Sequence, residues 1–347
     1  MSTTSTPRFF TLSLVFLLLI SLVIAACSSE KKTEAPATPV SIQMSWFDTM
    51  EFAGFYVAKE KGYYKDQNLD VTLLSGGVDA AGNYTSPIDK VASGEADFGV
   101  IGGDLLLTAR AEGKPLVAVA AIYQISPVIF FSLAEKNITR PQDLVGKTVG
   151  INLDSATGIA YRALLASQNI PYEDVNTVLR TSFDSSQLLN GEIDVLDGFV
   201  TNEPVLLRRE GYTINMILAS DYGISVYNNA IFTTEDMIAN HPDVVEKFLR
   251  ATFKGYDTAI DDPQKATETA RPYLSLTYGE GFDIQNEVDV MRTSLPLLQP
   301  AGSQVGMMTS DTWETTQQIL LDQGLLSQPL DIQAAYNLTF LEKIYPK

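Results

Sequence analysis

From residue 40 onward the chain switches between two hydrophobic rhythms. Val40, Ile42, Met44 and Trp46 fall on every second position, the period of a half-buried strand, and Glu51 to Lys61 then carries apolar residues at helical spacing up to Gly62. The same switch recurs along the chain. Strands are expected at 41–46, 69–74, 96–101 and 116–123, with helices near 51–61, 87–93 and 105–112. Further strands are expected at 128–134, 148–152, 177–180, 193–199 and 214–219, with helices near 156–167, 185–190 and 204–210. Alternation of this kind predicts an α/β protein with mostly parallel sheets covered by helices. After Thr234 the pattern becomes helical, with Pro242 placed for a first helical turn and Pro263, Pro272, Gly281 and Pro300 as punctuation.

A short internal repeat sharpens this outline. Gly94-Glu95-Ala96-Asp97 and Gly191-Glu192-Ile193-Asp194 both follow a helical segment and open an apolar strand, as expected of two similar α/β units in succession. The apolar stretches 116–134 and 214–232 are long enough to carry the chain from one unit to the other and back. The expected organisation is therefore two lobes joined by two crossovers. Residues 40–125 with the mainly helical 226–347 form the first lobe, and 126–225 the second.

The N-terminus has a different character. Arg8 precedes an apolar run from Phe9 to Ala26 that ends Ile24-Ala25-Ala26-Cys27, the layout of a secretory signal peptide over residues 1–26. An uncleaved membrane anchor is the alternative. Cys27 is the only cysteine, so it has no partner for an internal disulfide, and its place after two alanines resembles the bacterial lipoprotein cleavage box. The expectation is lipidation at Cys27 and residence on the extracytoplasmic face of a cell membrane. Residues 27–39, polar and proline-punctuated, read as a flexible tether. The formal net charge of −18, from 42 acidic and 24 basic residues among 347, argues against a nucleic-acid partner.

Several separated segments then resemble one family. Glu51-Phe52-Ala53-Gly54-Phe55-Tyr56-Val57-Ala58-Lys59-Glu60-Lys61-Gly62-Tyr63-Tyr64 is similar to the hallmark segment of the periplasmic-type substrate-binding proteins that serve importers of thiamine pyrimidine precursors, riboflavin, aliphatic sulfonates and nitrate-like anions. Gly94–Val100, Asp143–Gly150, Asn202-Glu203-Pro204 and the segment Pro242–Gly255 resemble the family too, in order, across Val40 to Lys347. The resemblance implies a two-lobed periplasmic-binding-protein fold of type II character that closes on its ligand like a hinge. It also implies a membrane permease with its ATPase as partner, and a monomer.

No enzyme constellation or cofactor motif accompanies this pattern: there is no Gly-x-Ser-x-Gly, no phosphate-cradling loop and no metal-type His/Cys spacing. The single histidine, His241, reads as a surface or capping residue beside Pro242. The family's enzymatic relatives, fungal pyrimidine synthases, consume a histidine in whose place the resemblance sets Phe52 here, so it implies a binder and not an enzyme.

In open α/β sheets, ligands sit beyond the carboxyl ends of strands. The candidate ligand-binding residues are those of the turns placed there. One side offers Trp46, Phe47, Asp48, Glu51, Phe52, Asp104, Tyr123 and Gln124; the other offers Asp154, Ser155, Thr157, Phe183, Asp184, Phe199, Thr201, Asn202 and Glu203. Asp104, Ser155 and Asn202 suit helix N-caps equally well, and Trp46 and Phe52 could belong to the core. These turns hold acids and aromatics but no Lys or Arg. An anion set among such acids would meet repulsion of about 4 kcal/mol per close pair at an effective dielectric near 20. A flat uncharged ring with N–H and O–H donors fits better, since aromatics stack on its faces and carboxylates accept from its edges. Within the family this points to riboflavin, with a pyrimidine precursor as the alternative.

Overall fold

The structure is a computed structural model that describes residues 1–3, 36–78, 82–182, 184–278 and 282–346. Cys27, the apolar run before it and Phe183 lie outside the described residues.

Residues 37–347 form one compact unit built on two five-stranded sheets. The first contains β1 (Thr38–Gln43), β2 (Leu69–Leu74), β3 (Phe98–Ile101), β4 (Leu116–Tyr123) and β10 (Asn228–Thr234), in the order β2-β1-β3-β10-β4. The second contains β5 (Val128–Leu133), β6 (Thr148–Ile151), β7 (Asn176–Leu179), β8 (Val195–Phe199) and β9 (Ile214–Leu218), in the order β7-β6-β8-β5-β9. Each sheet has a single strand against the grain. β10 is antiparallel to β3 and β4, and β5 is antiparallel to β8 and β9. These are the strands that the chain enters on arriving from the other sheet, at Tyr123–Val128 and again at Leu218–Asn228. A reversed strand lets a short link cross directly, where a parallel one would need a long return.

The repeated Gly-Glu-x-Asp segment has a structural job in both sheets. Gly94 and Gly191 take φ of 78° and 74° after the helices Pro87–Ala92 and Ser186–Leu189, a left-handed stop that favours glycine. Three residues on, the aspartate ties the neighbouring parallel strand, β1 in the first sheet and β6 in the second. Asp97 accepts from the Ser41 N–H at 2.7 Å, and Asp194 from the Thr148 N–H at 3.0 Å. The motif therefore builds the two units and lies away from their ligand ends.

Two local differences from the sequence expectation have physical reasons. β1 begins at Thr38 and ends at Gln43, although 41–46 was expected. Pro39 is tolerated because β3 pairs only with Ile42 and Gln43, so early β1 needs hydrogen bonds on one side alone. Met44 to Asp48 leave the ladder as a bend, held by Met44 N–H to Leu74 O and Gly76 N–H to Trp46 O. The expected helix over 51–61 opens with a 3₁₀ turn, Met50–Phe52, before the α-helix Ala53–Glu60.

That helix is fixed by close packing against the long helix Pro242–Asp261. A methyl group on Gly54 would fall 2.0 Å from the Tyr256 ring, and one on Gly255 would fall 2.0 Å from the Gly54 carbonyl oxygen. Only glycine permits that approach. Phe55, Tyr64 and Phe98 stack or pack around Phe248 in the same core. The Tyr256 hydroxyl then donates to the Glu51 carbonyl at 3.0 Å, so the helical region positions the turn of interest. Beyond Thr234 the described chain is helical through Thr339–Ile344, as expected, with β10 as the last strand. No helix among the described residues is long and apolar enough to cross a membrane.

Candidate functional site

The carboxyl ends of β1, β3, β4 and β8 bring the candidate residues together where the two sheets' units meet. At the centre, the Thr201 hydroxyl, just past β8, donates to Oε1 of Glu51 in the 3₁₀ turn after β1. Both residues are buried. Burial pushes the Glu51 carboxyl up to about 7; the Thr201 bond opposes this, and the nearby Glu203 and Glu287 add to it. Glu287, on the helix Ile284–Leu298, is itself engaged by the Met50 N–H at 2.8 Å. Tyr123, at the end of β4, is also buried and shares its hydroxyl with Ser294 at 2.8 Å. Its phenol is raised well above the usual range by burial and by the Glu51 charge.

The second side is organised differently. Arg180, just past β7, reaches Asp197 Oδ1 at 3.2 Å, the Asp197 carbonyl at 3.0 Å and Glu203 Oε1 at 3.0 Å. Thr157 donates to the other Asp197 oxygen. Ser155 caps the helix Ala156–Ser167 by accepting from the Gly158 N–H at 3.2 Å and shares a hydrogen bond with Thr157 at 2.8 Å. Glu203 is raised by burial, with the Arg180 guanidinium opposing. Asn202 starts the helix Glu203–Arg209 without a side-chain cap bond. Asp154 and Asp184 are exposed.

This placement corrects the sequence reading at several points. The turns were read as free of basic residues, yet Arg180 stands among them. Arg180 sits one residue past the short strand β7, at a position that the alternation of the sequence assigns to the strand itself. Its guanidinium is already occupied by two carboxylates and backbone oxygens, so the site's surplus of acid survives the correction. Asp104 is not a helix cap: Gly102 holds that position for the helix Gly103–Ala111. Asp48 is buried and spent locally, accepting from Tyr56 at 2.9 Å and Ser75 at 2.5 Å. Gln124 is likewise committed, donating to the Leu298 and Gln304 carbonyls at 2.8 and 2.7 Å. Phe52 is fully buried in the first core, whereas Trp46 is half-buried at its edge with Phe47 edge-on at 5.2 Å. His241 is exposed between the helices Glu235–Asn240 and Pro242–Asp261. Among the described residues no group of three or more His, Cys, Asp and Glu side chains is disposed to hold a metal ion.

Two clasps flank the central contact. Arg209 pairs with Asp283 at 2.5 Å and Asp289 at 3.1 Å, joining the helix after β8 to the C-terminal helices. Elsewhere Gln323 donates to the Ile159 carbonyl at 3.1 Å and accepts from Arg162 at 3.1 Å. At the crossovers themselves, the Ser126 hydroxyl donates to Asn228 Oδ1 at 3.2 Å.

Two similar sheets, linked twice and meeting over the carboxyl ends of their strands, define a protein of the periplasmic-binding-protein fold. Solved structures agree: the periplasmic aliphatic sulphonate binding protein SsuA of Escherichia coli superposes with a TM-score of 0.67 over 87% of this chain and 92% of its own, at 12% identity. The family model described as NMT1/THI5 like matches residues 49–266, and the chain belongs to that family. Among relatives, the riboflavin-binding protein RibY of Chloroflexus aurantiacus is 29% identical over 93% of this chain and 96% of its own. The formylaminopyrimidine-binding protein of Halalkalibacterium halodurans is 25% identical over 93% and 97%. A 4-amino-5-hydroxymethyl-2-methylpyrimidine phosphate synthase of Legionella pneumophila is 24% identical over 68% and 74%.

Proposed function

We propose that this chain is the extracytoplasmic solute-binding component of an importer and that it captures riboflavin by closing its two lobes over the ring. In this reading it is a binder, not a catalyst. It acts as a monomer, is held at the membrane by lipid on Cys27, and delivers its ligand to a permease driven by an ATPase. The observation that carries the reading is the acid-rich contact centred on Glu51 and Thr201, whose one neighbouring guanidinium, Arg180, is already engaged. Such a contact offers acceptors to ring and ribityl donors and nothing unpaired to an anion. The 29% identity to RibY across 93% of the chain points the same way. A formylaminopyrimidine is the second reading, favoured by the relative of that name, which aligns over the same share of the chain.

Closure selects ligand because contacts from both sides exist together only in the closed form. Asp104, Glu51 and Glu203 accept hydrogen bonds, Ser155, Thr157, Thr201 and Asn202 orient polar edges, and the half-buried Trp46 stacks. Calorimetry with riboflavin, the formylaminopyrimidine, thiamine and taurine tests this. Riboflavin is expected to bind most tightly, and Trp46→Ala to weaken it by about 1–3 kcal/mol. Tight taurine binding without any heterocycle bound refutes the reading, and so does a chemically altered ligand recovered after incubation.

A further inference from the structure

One polar pair near the crossovers has no structural employment to match its burial. Asp104 is only 2% exposed and Asn228 only 3%. The Asp104 carboxylate accepts from its neighbour's N–H, Leu105 to Oδ1 at 2.8 Å, and no side chain among the described residues donates to it. Asn228 is held from one end: the Ser126 hydroxyl binds its Oδ1 at 3.2 Å, so the amide's other end, Nδ2, is turned away from that bond and makes no hydrogen bond among the described residues. Both groups border the same space. A methyl group on Gly102 would lie 2.5 Å from Asp104 Oδ1 and 3.7 Å from Asn228 Nδ2. Gly102 has φ −67°, a value open to any residue, so its lack of a side chain matters for room and not for backbone freedom. Among the described residues, the neighbouring Asn229 buries an amide nitrogen without a partner.

Enclosing polar groups such as these against a ligand that leaves them unpaired would cost about 1–3 kcal/mol each, which a ligand that pairs them avoids. The place suits a ligand. Gly102 follows the carboxyl end of β3, and Asn228 opens β10 at the return crossover, with Ser126 on the outward one.

We propose that Asp104 and Asn228, set side by side over Gly102, form a donor–acceptor pair that reads the –NH–C(=O)– edge of a heterocycle. The carboxylate accepts from the ring N–H and the amide Nδ2 donates to the adjacent ring carbonyl. Burial holds the carboxyl up at about 6, which strengthens its demand for a donor once it is charged. On the flavin reading, which this inference rests on, the edge is the imide of the isoalloxazine. Ser126 and Gly102 act as positioning residues, one orienting the amide and the other leaving the space.

The test compares riboflavin with 3-methylriboflavin, which keeps the ring and loses the imide N–H. Wild-type protein is expected to prefer riboflavin by at least about 30-fold, since a site built for an N–H rejects the analogue that lacks it. Asp104→Ala should weaken riboflavin about 10- to 100-fold and bring that preference close to one. Asn228→Ala should weaken both flavins alike, because its partner carbonyl is present in each. Gly102→Ala, which keeps both polar groups and fills the space, should also weaken both. Equal binding of the two flavins by wild-type protein overturns the pair, as does an Asp104→Ala variant that keeps the preference. If wild-type protein binds no flavin, the functional reading falls and the pair is judged on the formylaminopyrimidine: a tenfold loss in Asp104→Ala retains it and no loss overturns it. If neither heterocycle binds, both readings fall.

Discussion

The two sides of the central contact treat their acids in opposite ways. On the first side Glu51 and Asp48 meet only neutral donors, Thr201, Tyr56 and Ser75. On the second, Asp197 and Glu203 share the guanidinium of Arg180. A hydroxyl satisfies an oxygen's lone pair but does not balance its charge, so the first side stores an electrostatic cost that the second has largely cancelled. The first side is therefore where protonation releases free energy, and the second holds its carboxylates paired.

The largest expected effect comes from breaking the second side. With Arg180 side-chain exposure at 12% and that of Asp197 at 6%, Arg180→Met strands two buried carboxylates. Loss of about 3–5 kcal/mol of stability is expected at neutral pH, shrinking in acid as Glu203, whose carboxyl burial already raises, takes up its proton. Urea midpoints at pH 7 and pH 4.5 check it; an unchanged midpoint at pH 7 would mean that the triad is solvated after all.

Glu51 on the first side should behave in reverse. Its carboxyl is raised from 4.5 to about 7 in the folded protein. Below about pH 4.5 it is protonated in both states and costs nothing. As pH rises, the unfolded chain loses the proton first, so stability falls between about 4.5 and somewhat above 7. At about 1.4 kcal/mol for each tenfold, the penalty approaches about 3 kcal/mol at pH 8. Glu51→Gln, which keeps an acceptor for Thr201, should remove that decline. Parallel urea titrations of wild type and variant from pH 4.5 to 8 measure the difference, and parallel pH slopes would contradict it.

The contrast between the two sides was only partly legible in the sequence. Local rhythm placed β2 and β4 at their observed bounds and gave the helix Ala156–Ser167 in full, because these elements have clean periodicity and clear end signals. The family resemblance, the periplasmic-binding-protein fold and the carboxyl-end location of the acids also followed from the chain alone. Partnership did not. Asp197 and Glu203 lie 17 and 23 residues from Arg180, and nothing local announces a triad. Asn228 and Ser126, 102 residues apart, meet only because the two crossovers run together. The hallmark Gly54 proved to be a packing residue for Tyr256 and Gly255, a role that depends on a helix two hundred residues downstream.

The smallest effect lies at the rim, where Arg209 provides an exposed counterpart to buried Arg180. Its side chain is 30% exposed, and Asp283 and Asp289 are 50% and 33% exposed, so water and salt share the interaction. Exposed pairs of this kind contribute about 0.2–1 kcal/mol. Because Arg209 reaches from the helix after β8 to the C-terminal helices, on the proposed closure that amount acts on the balance between closed and open forms and not on folding of either lobe. Arg209→Gln should leave the urea midpoint nearly unchanged while speeding ligand dissociation about two- to fivefold, since 1 kcal/mol corresponds to roughly fivefold. At high salt, where the Debye length shrinks to about 3 Å at 1 M, wild type and variant should release ligand at the same rate. Stopped-flow release at low and high salt reads both quantities. A variant that releases ligand faster at every ionic strength would mean that Arg209 works by packing its stem, as a buried arginine does, and the contrast between the two arginines would collapse.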